Sequence, residues 1–368
     1  MSKPNYYPGV GVIDLFCGAG GLTHGLRQSG LRVIAGIDND ANCKYAYETN
    51  NKPSKFIEQD ITTISSEQIE DLYQKWKVRI LVGCAPCQPF SKYSHAYIKA
   101  QKEQRHQKAR DDNKWKLLED FIRLIDTTHP EIVSMENVPD LQKHSIFKKF
   151  INCLKDNGYN ISDEDKRVVF CPDYGVPQNR KRLVVLASLL GPIQLASPDV
   201  STNNVATVRD AIGHLEPIRS GEISVSDFLH RASKLSEINL KRIQNSRPGG
   251  TWRDWPSDLR ARCHQTETGQ SYPSVYGRMS WDQPSPTITT QFFGYGNGRF
   301  GHPEQDRGLS LREGALLQSF PADYQFLDPN HQETNRSIGV HIGNAVPVEL
   351  GRAIGTSILE HLHNLGVD

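Results

Sequence analysis

A cysteine set between two prolines, Pro86-Cys87-Gln88-Pro89, follows the apolar run Ile80-Leu81-Val82 and has the makings of a nucleophile. Proline fixes φ and withholds a backbone donor, so Cys87 is expected in a stiffened turn at the end of a buried strand, where a sulfur keeps one attack angle. Only about a tenth of an ordinary thiol is ionised near pH 7.5, so neighbouring cations would help it. Alone, Pro-Cys-x-Pro reads more readily as a buried cysteine in a tight turn. Its company changes that reading. Pro130 to Pro139 contains a second apolar run that ends in the carboxylate of Glu136, and Gln178-Asn179-Arg180-Lys181-Arg182 precedes a third. Residues two apart on an extended segment share a side, so Arg180 and Arg182 form a paired cationic face. Cys84-x-x-Cys87 could be a redox pair or half a zinc site, but a single such pair leaves Cys84 as a strand-end packing residue and implies no metal.

These groups need a frame. Val10 to Phe16 reads as a buried strand entering the turn Cys17-Gly18-Ala19-Gly20-Gly21, and a helix follows. A second strand, Leu31 to Ile37, ends in Asp38, about 20 residues past the glycines, where doubly wound folds hold a ribose diol. Asp60 closes a third short stretch and also reads as a helix N-cap. The glycine spacing is Gly-x-Gly-Gly, which argues against a dinucleotide. Strands near 10–16, 31–37, 56–59, 79–83, 131–135, 166–171 and 182–188 alternate with helices near 21–29, 40–50, 65–76, 114–128 and 145–157. That alternation is α/β, a mostly parallel sheet with helices on both faces. After Gly191-Pro192 the periodicity weakens, which suggests a smaller, loop-rich domain with short strands. The expected division is a large domain over 1–192, a smaller one over 193–337, and a segment over 338–368 with a helix from Val348 to about His363.

Taken in order, the motifs resemble those of the cytosine-C5 DNA methyltransferases of bacterial type. Asp14 to Gly21 looks like the family's cofactor motif, Pro86 to Ser91 its nucleophile motif, and Glu136-Asn137-Val138 its acid motif. Gln178 to Arg182 looks like its arginine motif, Arg307 to Tyr324 its late scaffold motif, and Gly343-Asn344-Ala345-Val346-Pro347 its C-terminal motif. The resemblance covers most of the chain outside about 196–300.

It implies a Rossmann-like, S-adenosylmethionine-dependent fold with a catalytic and cofactor-binding domain over 1–192, a target-recognition domain over 193–337 and a segment over 338–368 that returns to the first, and it implies a definite reaction. Cytosine C5 is a poor nucleophile, so Cys87 would add to C6 and generate an enamine whose C5 takes the methyl group. Glu136 would meet N3, Arg182 would hold O2, and Arg180 would support Arg182. The base must first be flipped from the duplex. For the cofactor the resemblance implies Phe16, Gly18 and Gly20 at the methionine and backbone side, Asp38 at the ribose and Asn39 at the adenine face. Asp60 with Ile61 would meet the adenine edge, and Asn344 the methionine end. The family often carries a bulky side chain where Asn39 stands.

Two stretches suit DNA. After the nucleophile, Lys92, Lys99, Lys102, Arg105, Lys108, Arg110 and Lys114 outweigh Glu103, Asp111 and Asp112, as a loop closing over phosphates requires, with Gln88 and Ser91 as closing contacts. Residues 196–300 hold ten arginines against two lysines, and arginine's planar fork suits bidentate contact with guanine and phosphate. Arg242, Arg247, Arg253, Arg260 and Arg262, interleaved with Trp252 and Trp255, form the expected DNA-reading stretch; salt bridging with Asp254 and Asp258 is the plainer account of any one of them.

At 368 residues, 37% apolar and with a formal net charge of +1, the chain can bury a large core. Seven irregularly spaced cysteines suggest a reducing cytoplasm, here that of a bacterial cell, with the protein on DNA, and no disulfide framework. Nothing near Met1 resembles a signal peptide, and no apolar run reaches membrane-spanning length. The resemblance implies double-stranded DNA as partner and allows a restriction endonuclease that acts on the same site without a stable complex. A zinc deaminase is disfavoured, because His129-x-Glu131 and His302-x-Glu304 follow the cysteine pair instead of preceding one. A tRNA cytosine-5 methyltransferase shares the core motifs but not the case for a long arginine-rich insert, and a non-catalytic DNA-binding relative would not need Cys87, Glu136 and Arg182 together.

Overall fold

The structure, a computed structural model, describes residues 6–86, 107–164, 167–198, 205–266, 270, 273–330 and 334–367. Cys87, Gln88, Ser91 and the basic residues from Lys92 to Arg105 lie outside the described residues.

Contacts divide the chain into two compact units: residues 1–170, 181–198 and 348–368 form the first, and 171–180 with 199–347 the second. Residues 171–180, expected with the first unit, and 338–347, expected with the returning segment, group by contacts with the second, so the chain changes unit more often than its composition suggests. The arginine motif itself is cut, between Arg180 and Lys181.

The first unit is built on an eight-stranded sheet of order β3-β2-β1-β4-β5-β8-β6, with β7 pairing β8. Its strands are β1 (Val10–Leu15), β2 (Val33–Asp38), β3 (Lys55–Glu58), β4 (Val78–Gly83), β5 (Ile132–Asn137), β6 (Asn160–Ile161), β7 (Val168–Phe170) and β8 (Lys181–Ser188). From β3 to β5 every neighbour is parallel, while β8 runs antiparallel to β5, β6 and β7. Strands covered on both faces read as continuous apolar runs, and β1 and β5 are buried throughout. The order reverses at β1 and β4, and a ligand crevice is expected beyond the carboxyl ends there.

Alternation assigns the faces. Ile13, Leu15, Ile37, Leu81, Val133 and Met135 pack in one core with Ile69 of α3 (Ser66–Tyr73), Phe121 of α4 (Gln107–Thr128) and Phe150 of α5 (Ser145–Asp156). The opposite face carries Asp14, Gly36 and Phe56. It meets Thr23 of α1 (Gly21–Ser29) and Tyr47 of α2 (Lys44–Asn50), whose ring fills the space a Cβ on Gly36 would need. Sequence punctuation sets the helix ends. Gly20 and Gly30 bracket α1 with φ of 91° and 105°, and Ser65 with Gln68 closes a reciprocal capping box on α3. Helix α4 starts at Gln107, earlier than the expected 114, so Lys108, Arg110 and Lys114 belong to a helix and not to a loop.

In the second unit, α6 (Val208–Ile212), α7 (Glu237–Gln244), α8 (Leu311–Leu317) and α9 (Asn335–Asn344) are joined by turns, and extended segments meet as isolated bridges such as Gln178 with Ser285 and Arg278 with Gly301. The late scaffold motif holds it together. Arg307 and Glu313 form a fully buried two-pronged pair at 2.7 and 2.6 Å, and Arg312 bonds Asp227 and the Tyr324 carbonyl. The last helix, α10 (Val348–Asn364), belongs to the first unit and crosses α1 closely: a Cβ on Gly25 would lie 2.2 Å from the Val348 carbonyl oxygen.

Candidate active site

The first unit gathers its polar groups along one sheet edge, at the carboxyl ends of β1, β2, β4 and β5 and the start of antiparallel β8. Register explains which groups meet. In the parallel pair β4 and β5, Gly83 lies opposite Met135, so the next residues, Cys84 and Glu136, project to one side. The Cys84 thiol donates to Glu136 Oε2 at 2.7 Å. One residue on, Asn137 donates from Nδ2 to the Ala85 carbonyl at 3.0 Å and accepts from its own chain at Val138 N. Ala85 stands two residues before Cys87 in the chain, so β5 grips the root of the nucleophile segment at two successive positions.

Across the antiparallel pair, Glu136 lies opposite Val184 and diagonal to Arg182 on the same face. Arg182 Nε comes within 2.8 Å of Glu136 Oε1, with side chains 11% and 2% exposed. The approach is a charge contact without hydrogen-bond alignment, and Oε1 has no hydrogen-bond partner among the described residues. Arg180 has other company. Its guanidinium is buried in the second unit and donates to Gln178 Oε1, the Ile288 carbonyl, Gln318 Oε1 and the Ala345 carbonyl. The expected cationic pair is therefore corrected, because those acceptors hold Arg180 while Arg182 answers Glu136.

At the glycine turn, Phe16 and Gly18 take left-handed φ of 58° and 50°, and no atom of the described residues lies within 4 Å of where a Gly18 Cβ would be. Asp38, ending β2, accepts from Gly18 N at 2.8 Å and from Asp40 N at 3.0 Å, fastening the turn to the neighbouring strand. Asp60 accepts from the backbone and hydroxyl of Thr62, which hold its carboxyl below the usual range, with Asn39 adding to the effect. The N-cap reading of Asp60 is thus realised. Asn39 is exposed, and the Ile61 side chain is buried in the core, leaving its backbone as the part that could face a ligand. Asn344 is exposed at the end of α9 in the second unit.

Asp14 was not singled out from the sequence. Burial pushes its carboxyl up to about 7, against a lowering hydrogen bond from Thr23 at 2.7 Å, and repulsion from Asp38 adds to the rise. Its Oδ1 is buried without a hydrogen-bond partner among the described residues. The signal was an acid in an apolar strand, a costly placement unless it serves something.

The arginine-rich stretch separates into two kinds. Arg242 is half-buried, donates to the Leu259 carbonyl and Asn239, and lies over the Trp255 and Tyr276 rings at 5.6 and 5.3 Å. Arg260 donates to the Trp255 and Arg253 carbonyls, and Arg253 to the Gln270 carbonyl while lying over Trp252. Both indoles of this stretch are buried: Trp252 and Trp255 are core. Arg247 is exposed with a loose 3.4 Å pair to Asp254, and Arg262 is exposed.

Comparison with known proteins bears on this geometry. The family described as C-5 cytosine-specific DNA methylase matches residues 10–360. Type II methylase M.HgiDII of Herpetosiphon aurantiacus is 52% identical over 357 residues, 96% of each chain. Type II methyltransferase M1.HphI of Haemophilus parahaemolyticus is 30% identical over 361 residues, 96% of this chain and 88% of its own. Among solved structures, a protein encoded within an Escherichia coli prophage superposes with a TM-score of 0.72 at 22% identity, covering 96% of this chain and 99% of its own. The methyltransferase EhMeth of Entamoeba histolytica does so at 0.60 and 19%, covering 97% and 99%. These two likenesses speak for the fold. With the family match running over residues 10–360 and a 52% identical relative covering 96% of each chain, this protein belongs to the C-5 cytosine-specific DNA methylases and is an enzyme of that family.

Proposed function

We propose that the chain transfers a methyl group from S-adenosylmethionine to C5 of a cytosine flipped out of a specific short site in duplex DNA, through an adduct between Cys87 and C6. The observation that carries this reading is the Glu136 carboxyl: one oxygen is engaged by Cys84, and the other is buried beside Arg182 with no hydrogen-bond partner among the described residues. A carboxyl so held has one oxygen left for a base nitrogen.

The residues at the glycine turn fit the cofactor. Asp14 Oδ1, buried without a hydrogen-bond partner among the described residues, with Asp38 close enough to raise its pKa, makes an acidic recess suited to a cationic methionine end. The open space at Gly18 leaves room beside it. Phe16, Gly18 and Gly20 would hold the methionine side with Asn344, Asp38 the ribose diol, Asn39 the adenine face, and Asp60 with the Ile61 backbone the adenine edge. Bound there, S-adenosylmethionine supplies an electrophilic methyl group. The Cys87 thiolate bonds to C6 while Glu136 gives N3 a proton, so no negative charge stays on the ring. Arg182 supports the charge that develops at O2, and Arg180 acts by ordering the segment before it. Once C5 is methylated, loss of its proton to water or a weak base restores the C5–C6 double bond, expels Cys87 and lets Glu136 recover its proton.

Duplex DNA is the partner in this reading, with Gln88 and Ser91 as closing contacts and Arg247 and Arg262 as candidates for base contact; Arg253 and Arg260 are also exposed but, like Arg242, hold protein carbonyls and shape the surface beside them. The Type II names of the relatives favour a role beside a restriction endonuclease of the same specificity in a bacterial cytoplasm. The test is a duplex carrying 5-fluorocytosine at the target found by bisulfite sequencing. Fluorine cannot leave as a proton does, so a methylated DNA adduct on Cys87 is expected by mass spectrometry, and its absence under conditions that methylate ordinary DNA would overturn the covalent route.

A further inference from the structure

We infer that Cys84 is a positioning residue for Glu136, a role the family resemblance did not give it; the inference rests on the reading of Glu136 as the group that meets the base. Cys84 follows Gly83, the last residue of β4 and the partner of Met135, and its thiol donates to Oε2 of the next residue along β5, Glu136, at 2.7 Å. Its own backbone N–H reaches the Leu15 carbonyl at 3.4 Å, which ties the thiol's anchor point to β1. The carboxyl is thereby held from two sides: the thiol takes Oε2, and Arg182 Nε stands 2.8 Å from Oε1.

The division of labour is chemical. A carboxylate beside one arginine alone can turn to place both oxygens on the guanidinium fork, the arrangement such pairs favour. A donor on Oε2 opposes that rotation and leaves Oε1, buried beside Arg182, without a hydrogen bond among the described residues. A thiol is a weak donor and small enough for this half-buried strand end. Because Cys84 stands three residues before Cys87, the same short segment carries the nucleophile and sets the acid's orientation. A packing residue at this place would need volume but no donor.

The experiment compares Cys84→Val, which keeps the bulk and removes the donor, with Cys84→Ser, which keeps a donor, and Cys84→Ala as a second donorless variant should valine disturb folding. Glu136→Gln is the reference. Each full-length protein is measured for S-adenosylmethionine affinity, thermal melting and single-turnover methyl transfer to duplex DNA across pH. The expected result is a single-turnover rate about tenfold lower in the donorless variants, the scale of one lost hydrogen bond, with cofactor affinity unchanged and most of the rate restored by serine. Wild-type rates in both donorless variants, or equal losses in serine and valine, would overturn the role. If Glu136→Gln itself turned over normally, the failure would lie in the reading of Glu136; if that variant is dead and the donorless variants are not, only the inference about Cys84 falls.

Discussion

Glu136 and Arg182 sit diagonally across the antiparallel pair of β5 and β8, with Oε1 and Nε 2.8 Å apart in surroundings that leave the two side chains 2% and 11% exposed. Removing one member leaves the other's charge poorly compensated. Arg182→Ala is expected to lower the single-turnover methylation rate by about 10²- to 10³-fold on every DNA sequence, while S-adenosylmethionine affinity stays within about twofold. Rapid-quench methylation with equilibrium cofactor binding checks both. A loss confined to some sequences would make Arg182 a reader instead.

Asp14 predicts a proton-linked cofactor step. Its carboxyl is raised from an ordinary 3.8 to about 7, so it is protonated in the folded protein at pH 6. A cation seated beside it favours the anion, so binding at that pH should release a proton and tighten between pH 6 and 8. The sign for stability follows from the same shift. The unfolded chain ionises Asp14 near 3.8 and the folded chain near 7, so stability present below the lower value is lost as pH rises through this window. Asp14→Asn should flatten both dependences. Calorimetry in two buffers of different ionisation heat reads the proton directly, and no proton release in the wild type would disprove the linkage.

Alanine at each arginine of the 242–262 stretch should sort into two groups. Arg242→Ala removes carbonyl and ring contacts and should lower the melting temperature of the second unit. Arg247→Ala and Arg262→Ala should leave melting unchanged, because exposed pairs and lone surface cations contribute little to stability. A base contact among them would show as about ten- to a hundredfold loss of discrimination between cognate and scrambled duplexes, and a phosphate contact as a uniform loss with a flatter salt dependence. If neither variant changed affinity or sequence choice, reading would lie outside this stretch.

The buried pair of Arg307 and Glu313 should govern acid resistance of the second unit. Burial alone would raise the Glu313 carboxyl, but Arg307 outweighs it and holds the group down to about 2 from an ordinary 4.5. A depressed carboxyl stabilises the fold above its unfolded value, and that contribution is lost as pH falls from about 4.5 toward 2. Glu313→Gln strands the guanidinium and should cost about 3–5 kcal/mol. Thermal melts from pH 7 to 3 check it, with the variant expected to start lower and fall less.

The parallel sheet was legible because its strands are covered on both faces and therefore appear as apolar runs, and the helices between them carry their caps in the sequence. Helix α4 was placed late, since its first two turns have the charge of a solvated loop and no apolar period. The two-residue β6 has too little sequence to declare itself. Glu136 and Arg182 were legible as charged ends of apolar strands. Cys84 and Asn137 were not, because their partners come from register between strands 52 residues apart, which no local pattern encodes. In the second unit, arginine count read as DNA contact, but carbonyl groups left unpaired by irregular turns compete for the same forks, and Arg242, Arg253 and Arg260 satisfy them.

The close crossing of α1 and α10 also constrains how this protein is made. The glycine face of α1 is synthesised more than 300 residues before the backbone that covers it, from Val348 onward. A ribosome-bound chain thus exposes that narrow groove until α10 has emerged, and the sheet beside it waits for β8. Covering of α1 in the first unit is therefore a late, long-range step of folding.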